Sequence, residues 1–187
     1  MKFAPRLLAT AIAIAMPLTA TTAQSAAPAA RPARTPDVVY VPTPQPVVDA
    51  MLKLANVKKG DVLYDLGSGD GRIPITAAKR FGVRAIGIDI DPERIAEAKE
   101  NAKKAGITNL VTFRNADLFT SNISEASVVT LYLLDTLNLK LRPKLLRELK
   151  PGTRIVSHAF TMGDWEPQQT QEVDGRMIYF WTVPARK

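Results

Sequence analysis

The sequence has no cysteine, only one histidine, and aromatic residues make up just 6% of its 187 positions. Without thiols the chain can form neither a disulfide nor a thiolate metal site, and one imidazole is too few for a common zinc centre. The lack of cysteine also leaves the redox compartment undetermined. A hydrophobic content of 46% in a chain of this length still provides for one domain with a sizeable core.

The N-terminal part has little charge and one short apolar run. Lys2 and Arg6 stand before the run at residues 7–16, which is too short to anchor the chain permanently in a bilayer. Small residues follow, and Ala23-Gln24-Ser25 matches a signal-peptidase site. We expect a signal peptide over residues 1–26 and an exported, periplasmic protein. The alternatives are an organellar transit peptide with a mitochondrial location, and a cytoplasmic location.

A linker precedes the folded part. Residues 27–37 are rich in alanine, proline and arginine, and no acidic residue occurs before Asp37. Such a composition favours an extended, disordered segment. The remaining residues, 38–187, form the predicted domain.

The net charge of the chain is +7, which favours anionic partners without identifying one. The basic residues are scattered over predicted helices that also carry glutamate and aspartate. This mixture is typical of a solvated surface. We therefore expect no nucleic-acid partner, while a peripheral contact with a membrane surface stays open.

Short apolar runs alternate with helical patterns along the domain. This alternation predicts parallel strand pairing with right-handed crossovers. Near the end of the chain, Asp174-Gly175 is a strong hairpin signal. The expected fold is α/β, with a mostly parallel twisted sheet, helices on both faces and a C-terminal antiparallel hairpin. The predicted helices are 46–55, 72–81, 92–105 and 142–149; the predicted strands are 62–65, 83–88, 110–113, 127–134 and 153–157, with 171–173 and 176–183 in the hairpin.

The stretch from Val62 to Arg72 reads Val-Leu-Tyr-Asp-Leu-Gly-Ser-Gly-Asp-Gly-Arg, so a strand and an acid lead into three glycines at alternate positions. Glycine has no Cβ, and its backbone can bend sharply and lie against a ligand. A dinucleotide fingerprint requires Gly-x-Gly-x-x-Gly. Gly67 and Gly69 fit that spacing, but Arg72 stands where the third glycine belongs. The dinucleotide interpretation is therefore weak.

An aspartate ends each of the first two predicted strands, namely Asp65 and Asp89, and Asp117 follows the third. Ligands of open α/β sheets bind beyond the carboxyl ends of the strands, so the three acids are expected at one crevice. There Asp89 can accept hydrogen bonds from both hydroxyls of a ribose, and Asp117 can accept one from the amino group of an adenine. Taken singly, each could instead be a loop acid or a helix cap. Their common position at successive strand ends favours a nucleoside site.

The glycine pattern and the acids resemble class I S-adenosylmethionine-dependent methyltransferases over residues 40–183. The resemblance implies a Rossmann-like fold with S-adenosyl-L-methionine as the cofactor. It also implies that the glycine turn holds the methionine part, that the acid after the second strand holds the ribose, and that the acid after the third holds the adenine. The candidate cofactor-binding residues are Asp65, Gly67, Ser68, Gly69, Asp70, Gly71, Asp89 and Asp117.

A narrower likeness is to the small mitochondrial protein-lysine N-methyltransferases that modify the ATP synthase c-subunit and the adenine nucleotide translocase, and to their bacterial exported relatives. It rests on Tyr-Val-Pro-Thr-Pro at residues 40–44, Glu-Leu-Lys-Pro-Gly at 148–152 and Trp-Glu-Pro at 165–167. The chain differs from the mitochondrial enzymes in its predicted export signal and in lacking a membrane-anchoring span. The resemblance implies methyl transfer to a protein lysine. A small-molecule acceptor and a non-catalytic exported binding module are the alternatives.

Aromatic and polar side chains near the later strand ends are candidates for the acceptor channel, because an aromatic wall can hold an ammonium and desolvate an amine. The candidate catalytic residues are Tyr40, Tyr132, Asp135 and Trp165, with Phe160 as a weaker candidate. Core or rim packing is the alternative for the aromatic residues, and helix capping is the alternative for Asp135. His158 could act as a base, but a structural role is the stronger interpretation.

Two further patterns are missing. Nothing in the sequence resembles a nucleophilic triad. Residues 132–135 read Tyr-Leu-Leu-Asp, where amide- and base-N-methyltransferases carry an Asn-Pro-Pro-Tyr-type signature. This difference argues against DNA adenine methylation.

Overall fold

The computed structural model describes Met1 and residues 35–186. Apart from Met1, the predicted signal peptide lies outside the described residues, as does the linker up to residue 34. Among the helices of the described part, none combines the length and the apolar character that a membrane crossing needs.

The described residues form four helices and seven strands, and all the strands share one sheet. Strands β1 to β5 pair in parallel in the order β3-β2-β1-β4-β5, and β7 pairs antiparallel with both β5 and β6. The elements in chain order are α1 (Gln45–Leu54), β1 (Val62–Leu66), α2 (Arg72–Phe81), β2 (Arg84–Asp89), α3 (Pro92–Lys104), β3 (Val111–Asn115), β4 (Val128–Leu131), α4 (Asp135–Glu148), β5 (Arg154–His158), β6 (Gln169–Val173) and β7 (Arg176–Thr182).

Helices cover both faces of this sheet. On one face, α1, α2 and α3 bury strand residues such as Leu63 and Val156. On the other face, α4 packs on Leu131 and Ile155 through a second apolar cluster. Strands buried on both faces are what a parallel α/β sheet requires, and they explain the continuous apolar runs in the sequence. The predicted fold class is confirmed.

The C-terminal hairpin is confirmed as well, and its turn has the expected geometry. Asp174 and Gly175 both have positive φ, at 50° and 72°. A two-residue turn with both central residues at positive φ matches the right-handed twist of the flanking strands. The hairpin therefore extends the sheet beyond β5 in antiparallel fashion.

The segment around α4 differs from the prediction. The helix begins at Asp135 and carries Pro143 inside it, whereas the sequence pattern predicted a start at Arg142. Strand β4 correspondingly ends at Leu131 instead of continuing to residue 134. The first turn of α4 is held by side-chain bonds to the loop after β5: Asp135 accepts the backbone N–H of Thr161 at 2.8 Å, and Asn138 donates to the carbonyl oxygen of Thr161 at 3.2 Å. These tertiary contacts outweigh the local helix-breaking signal of the proline.

An extended segment of residues 36–43, here called the strap, runs ahead of α1 and lines a cavity at the carboxyl ends of the parallel strands. Prolines at 36 and 42 disfavour helix geometry in the residues before them. The strap includes Pro36 and Asp37, which the composition of the sequence had placed in the linker.

Candidate active site

Asp89, the last residue of β2, fastens the glycine turn to the start of α3. Its Oδ2 accepts the backbone N–H of Gly69 at 2.8 Å, and its Oδ1 accepts that of Asp91 at 2.9 Å. The same carboxylate borders the cavity. A carboxylate has about four acceptor positions, so two remain for hydroxyl groups of a ligand. This geometry suits the predicted ribose contact.

The ring of Tyr40 in the strap lies directly on the glycine turn. At Gly69, where φ is +50°, a Cβ would come within 2.2 Å of Cε2 of that ring. Only glycine tolerates both this φ and this approach. The guanidinium of Arg94 lies 5.1 Å from the centroid of the same ring. Tyr40 thus contacts both the glycine turn and Arg94, and it lines the cavity.

Arg72 connects the glycine turn to the strap. Its Nη2 donates to Oδ2 of Asp70 at 2.6 Å, and its Nη1 donates to the carbonyl oxygen of Thr43 at 2.9 Å. Burial alone would raise the pKa of Asp70, but the hydrogen bonds and charge of Arg72 outweigh it and leave that pKa lowered. Asp70 is therefore ionised and committed to Arg72 while still lining the cavity.

Asp65 at the end of β1 is a buried carboxyl group, only 2% exposed. Burial raises its pKa to about 8; the hydrogen bond from Thr130 opposes the rise, and the charges of Asp89 and Asp70 add to it. The Thr130 hydroxyl donates to Oδ1 of Asp65 at 2.7 Å. A cationic group placed beside Asp65 in the cavity would favour its ionised form.

Asp117 follows β3 on the far side of the cavity. Its Oδ1 accepts the backbone N–H of Phe119 at 2.8 Å, so part of its carboxylate caps the local turn. Asp117 lines the cavity together with Ala116, Leu118 and Phe119. An acceptor next to apolar side chains is the combination that a flat, amino-bearing ring such as adenine requires.

The cavity between these elements has a volume of about 480 Å³, which is within the usual range for small-molecule sites. The acidic residues that line it outnumber the basic ones even with the protonated Asp65 and the Asp70–Arg72 ion pair set aside: Asp37, Asp89, Asp91 and Asp117 remain against Arg94. Such a lining favours a cation and disfavours the diphosphate of a dinucleotide. S-adenosyl-L-methionine carries a sulfonium and an ammonium against one carboxylate and is a net cation, so the residues present fit the cofactor that the resemblance implies.

The predicted cofactor residues do not all face this cavity. Asp65, Gly67, Asp70, Asp89 and Asp117 line it, whereas Ser68, Gly69 and Gly71 do not. The last three act in the turn itself: Gly69 lies under Tyr40, the carbonyl of Ser68 accepts the N–H of Gly71, and Gly71 is the N-cap of α2 with φ +79°. The Ser68 hydroxyl is buried and has no hydrogen-bond partner among the described residues.

Tyr132, His158 and Phe160 form an aromatic cluster beyond β4 and β5. The rings of Tyr132 and His158 are stacked with centroids 3.9 Å apart, and Phe160 lies 6.0 Å from Tyr132. Of the three, only Tyr132 lines the cavity. Burial, and after it the charge of Arg176, lowers the pKa of His158 to about 4. A histidine this weakly basic is neutral at pH 7 and is a poor acceptor for the proton of an amine, which supports its structural interpretation.

Two of the predicted catalytic residues lie outside the cavity lining. Asp135 accepts the backbone N–H of Thr161 at 2.8 Å and so fastens the loop after β5 to α4. The carbonyl of Trp165 accepts a hydrogen bond from Nε1 of Trp181 at 2.7 Å, and the two indole rings pack against each other. Among the described residues that border the cavity, neither Asp135 nor Trp165 is included. The contacts of Trp165 are therefore those of a packing residue, which was the alternative to a catalytic role. The contacts of Asp135 fasten a loop.

Sequence reasoning missed three residues that hold the site together: Thr43, Arg72 and Thr130. In the sequence, Arg72 is a mismatch to the dinucleotide spacing. Its position two residues after Asp70 is the signal that could have indicated their ion pair. Thr130 faces Asp65 across a parallel strand pair, so its role follows once β1 and β4 are placed side by side. Thr43 lies within the Tyr-Val-Pro-Thr-Pro motif, but its partners are distant in the chain and the motif does not indicate them.

Replacement of Asp65 by asparagine tests the buried carboxyl. Between the ordinary pKa of 3.8 and the folded value of about 8, the folded protein holds a proton that the unfolded chain has released. The stability that this proton contributes to the folded protein is fully present below pH 3.8 and is lost as the pH rises through about 8. Thermal denaturation of the cofactor-free protein should therefore show a fall in Tm between about pH 4 and about pH 8 that is smaller in Asp65→Asn.

Asparagine retains an oxygen that can accept from Thr130, so the comparison isolates the titration. Asp174→Asn, an exposed change in the hairpin turn that leaves an Asn-Gly pair there, serves as the matched control and should follow the wild-type pH profile. Parallel curves for wild type and Asp65→Asn would show that Asp65 is already ionised in the folded protein.

Comparison with known proteins supports the assignment of the cavity as the cofactor site of a methyltransferase. The family model for the ANTKMT methyltransferase domain matches residues 65–169, which is more than half of the chain. A protein-lysine N-methyltransferase of Saccharolobus islandicus (strain REY15A) is 48% identical over 157 residues, covering 81% of this chain and 98% of that protein. The human lysine N-methyltransferase named for the c-subunit of ATP synthase is 31% identical over 128 residues, or 68% of this chain, and the match spans about half (54%) of the human enzyme.

A solved structure shows the corresponding fold with a bound ligand. The Salinibacter ruber protein, described as an RNA methyltransferase in complex with S-adenosyl-L-homocysteine, is 57% identical with a TM-score of 0.77. The match covers 79% of this chain and 96% of that one. S-adenosyl-L-homocysteine is what remains of the cofactor after methyl transfer. The chain belongs to the ANTKMT methyltransferase family and is a Rossmann-like, S-adenosyl-L-methionine-dependent methyltransferase.

Proposed function

We propose that this methyltransferase acts on the side-chain amine of a protein lysine. The observation that carries the proposal is the 48% identity to a protein-lysine N-methyltransferase whose length is matched almost completely. The relative named for the mouse adenine nucleotide translocase, 34% identical over 131 residues, points to the same acceptor chemistry. A non-catalytic binding module does not fit a chain with these relatives, and a small-molecule acceptor has no comparable support.

The charge of the cavity supports a cationic acceptor. A lysine side chain approaches as an ammonium, which the surplus of aspartates attracts. Tyr132 and Tyr40 supply aromatic surface along the cavity wall, and such surface attracts an ammonium through its π-electrons. Leu133 and Leu137 add apolar wall beside them. The aspartates and the aromatic rings thus attract the ammonium, and the apolar side chains beside them disfavour its charge once the amine is desolvated.

The chemistry requires alignment more than acid or base catalysis. When bound, the cofactor supplies an activated methyl group on a sulfonium. The apolar walls shift the lysine towards its neutral form, and its proton leaves to solvent before the transfer. The walls would hold the neutral amine in line for transfer of the methyl group that the cofactor supplies, and they would exclude water.

RNA is the second candidate acceptor, because the 57% identical Salinibacter protein is described as an RNA methyltransferase. The acidic lining argues against it, since phosphates would be repelled from this cavity. Digestion of the labelled product with protease or with ribonuclease separates the two acceptors directly.

Incubation of the purified protein with native cell extract and S-adenosyl-L-methionine tritiated in the methyl group should label macromolecules. We expect the label to be removed by protease, to resist ribonuclease, and to appear as ε-N-methyllysine after acid hydrolysis. The physical reason is that a desolvated amine is the nucleophile that this cavity is built to align.

Prior acetylation of the lysines in the extract is the matched control and should abolish the labelling. Label that ribonuclease removes would assign the enzyme to RNA. Label found only in small metabolites would show that the acceptor is a small molecule.

Asp89→Ala tests the assigned ribose contact. Loss of a charged, two-oxygen contact should weaken the affinity for S-adenosyl-L-methionine at least about tenfold, as measured by calorimetry. Because Asp89 also binds the N–H groups of Gly69 and Asp91, a thermal melt must accompany the measurement. Asp49→Ala, outside the cavity lining, is the control. An unchanged dissociation constant in a folded Asp89→Ala protein would refute the ribose assignment.

We also propose that the protein is exported. Support comes from the basic start, the apolar run and the small-residue site within residues 1–26. Mass spectrometry of the protein isolated from its native cells should find a mature N-terminus near residue 26. Intact Met1 in the isolated protein would contradict export through this signal.

A further inference from the structure

Thr43, the last residue of the strap, is bonded in two directions. Its carbonyl oxygen accepts a hydrogen bond from Nη1 of Arg72 at 2.9 Å, and its hydroxyl shares one with Nδ1 of His158 at 3.1 Å. Thr43 is buried, 4% exposed, and lines the cavity. One residue therefore joins the strap both to the glycine turn and to the end of β5.

The two bonds lead to different halves of the site. Arg72 forms an ion pair with Asp70 in the glycine turn, which belongs to the cofactor side. His158 is fully buried and stacks on Tyr132, which stands on the proposed acceptor side. The backbone carbonyl of Thr43 thus bonds to the cofactor side of the site, and its hydroxyl bonds to the proposed acceptor side.

We propose that Thr43 is a positioning residue whose hydroxyl, through His158, fixes the strap against Tyr132 and thereby sets the path of the methyl acceptor. The proposal rests on the proposed function, because the acceptor side is defined by it. Loss of the hydroxyl leaves the carbonyl bond to Arg72 in place, so the cofactor half stays intact. The acceptor half loses its link to the strap, and the buried imidazole nitrogen loses its partner.

Thr43→Val removes the hydroxyl with little change of shape. At saturating S-adenosyl-L-methionine, the rate of tritium transfer to extract should fall about tenfold, since a buried partner is left unsatisfied. The dissociation constant for S-adenosyl-L-homocysteine should stay within about twofold of the wild type. Thr43→Ser keeps a hydroxyl and should restore most of the rate.

The single histidine of the chain offers a second readout that needs no acceptor. In untagged protein labelled with ¹⁵N-histidine, the imidazole signals belong to His158 alone. The Nδ1 shift should change in Thr43→Val and return towards the wild-type value in Thr43→Ser. Thr170→Val, an exposed change on edge strand β6, is the matched control and should alter neither shift nor rate.

His158→Phe keeps a ring for Tyr132 but cannot bond to Thr43. If both residues act through one bond, the double variant should lose little more of the transfer rate than His158→Phe loses alone. Additive losses would overturn the proposal. It would also be overturned by a rate or an Nδ1 shift unchanged in Thr43→Val, or by a cofactor affinity that falls as much as the rate.

Failure of the proposed function is a separate result. If the wild type labels RNA and no lysine, the proposed acceptor is wrong, yet the ratio of variant to wild-type rates still tests Thr43. If the wild type labels nothing, the imidazole shifts and the affinity for S-adenosyl-L-homocysteine still decide whether the bond exists and whether it leaves the cofactor half intact.

Discussion

The carboxylate of Asp89 holds together the parts of the molecule on which the site depends. It accepts one backbone N–H from the glycine turn and another from the start of α3, so three segments meet at one side chain. Charge-assisted bonds to backbone N–H groups are stronger than neutral ones and fix direction as well as distance. The turn is therefore shaped by the strand that neighbours it as much as by its own glycines.

Around this junction the site divides into a floor and a roof. The floor consists of the carboxyl ends of β1, β2 and β3, and it carries the acids that suit a cationic nucleoside. The roof consists of the strap, with Tyr40 on the glycine turn and Thr43 bonded to Arg72 and His158. Sheet topology positions the floor, and a few side-chain contacts between distant segments position the roof.

This division explains how much could be predicted from the sequence. Asp65, Asp89 and Asp117 were expected at one crevice because parallel strands place their carboxyl ends at the same edge, and all three line the cavity. The hairpin at Asp174-Gly175 followed from local backbone preference. Both features depend on short-range patterns combined with a general rule of topology.

The features that escaped prediction depend on contacts between distant segments. Helix α4 begins earlier than its proline suggested, because Asp135 and Asn138 in its first turn bond to the loop after β5. Thr43 and His158 are 115 residues apart in the chain, and nothing near either one indicates the other. Trp165 stands in one of the motifs that carry the family resemblance, yet its observed partner is Trp181. Such pairings are decided by packing, which a single sequence does not display.

The strap has one more consequence. It lies at residues 36–43, upstream of the span from 65 to 169 that matches the family model. A recombinant fragment trimmed to that span would lack Tyr40, Thr43 and the whole of α1, as well as the first residues of β1 and all of β7. Grafting the strap of one relative onto the body of another is accordingly a direct way to ask which part of these enzymes selects the molecule to be methylated.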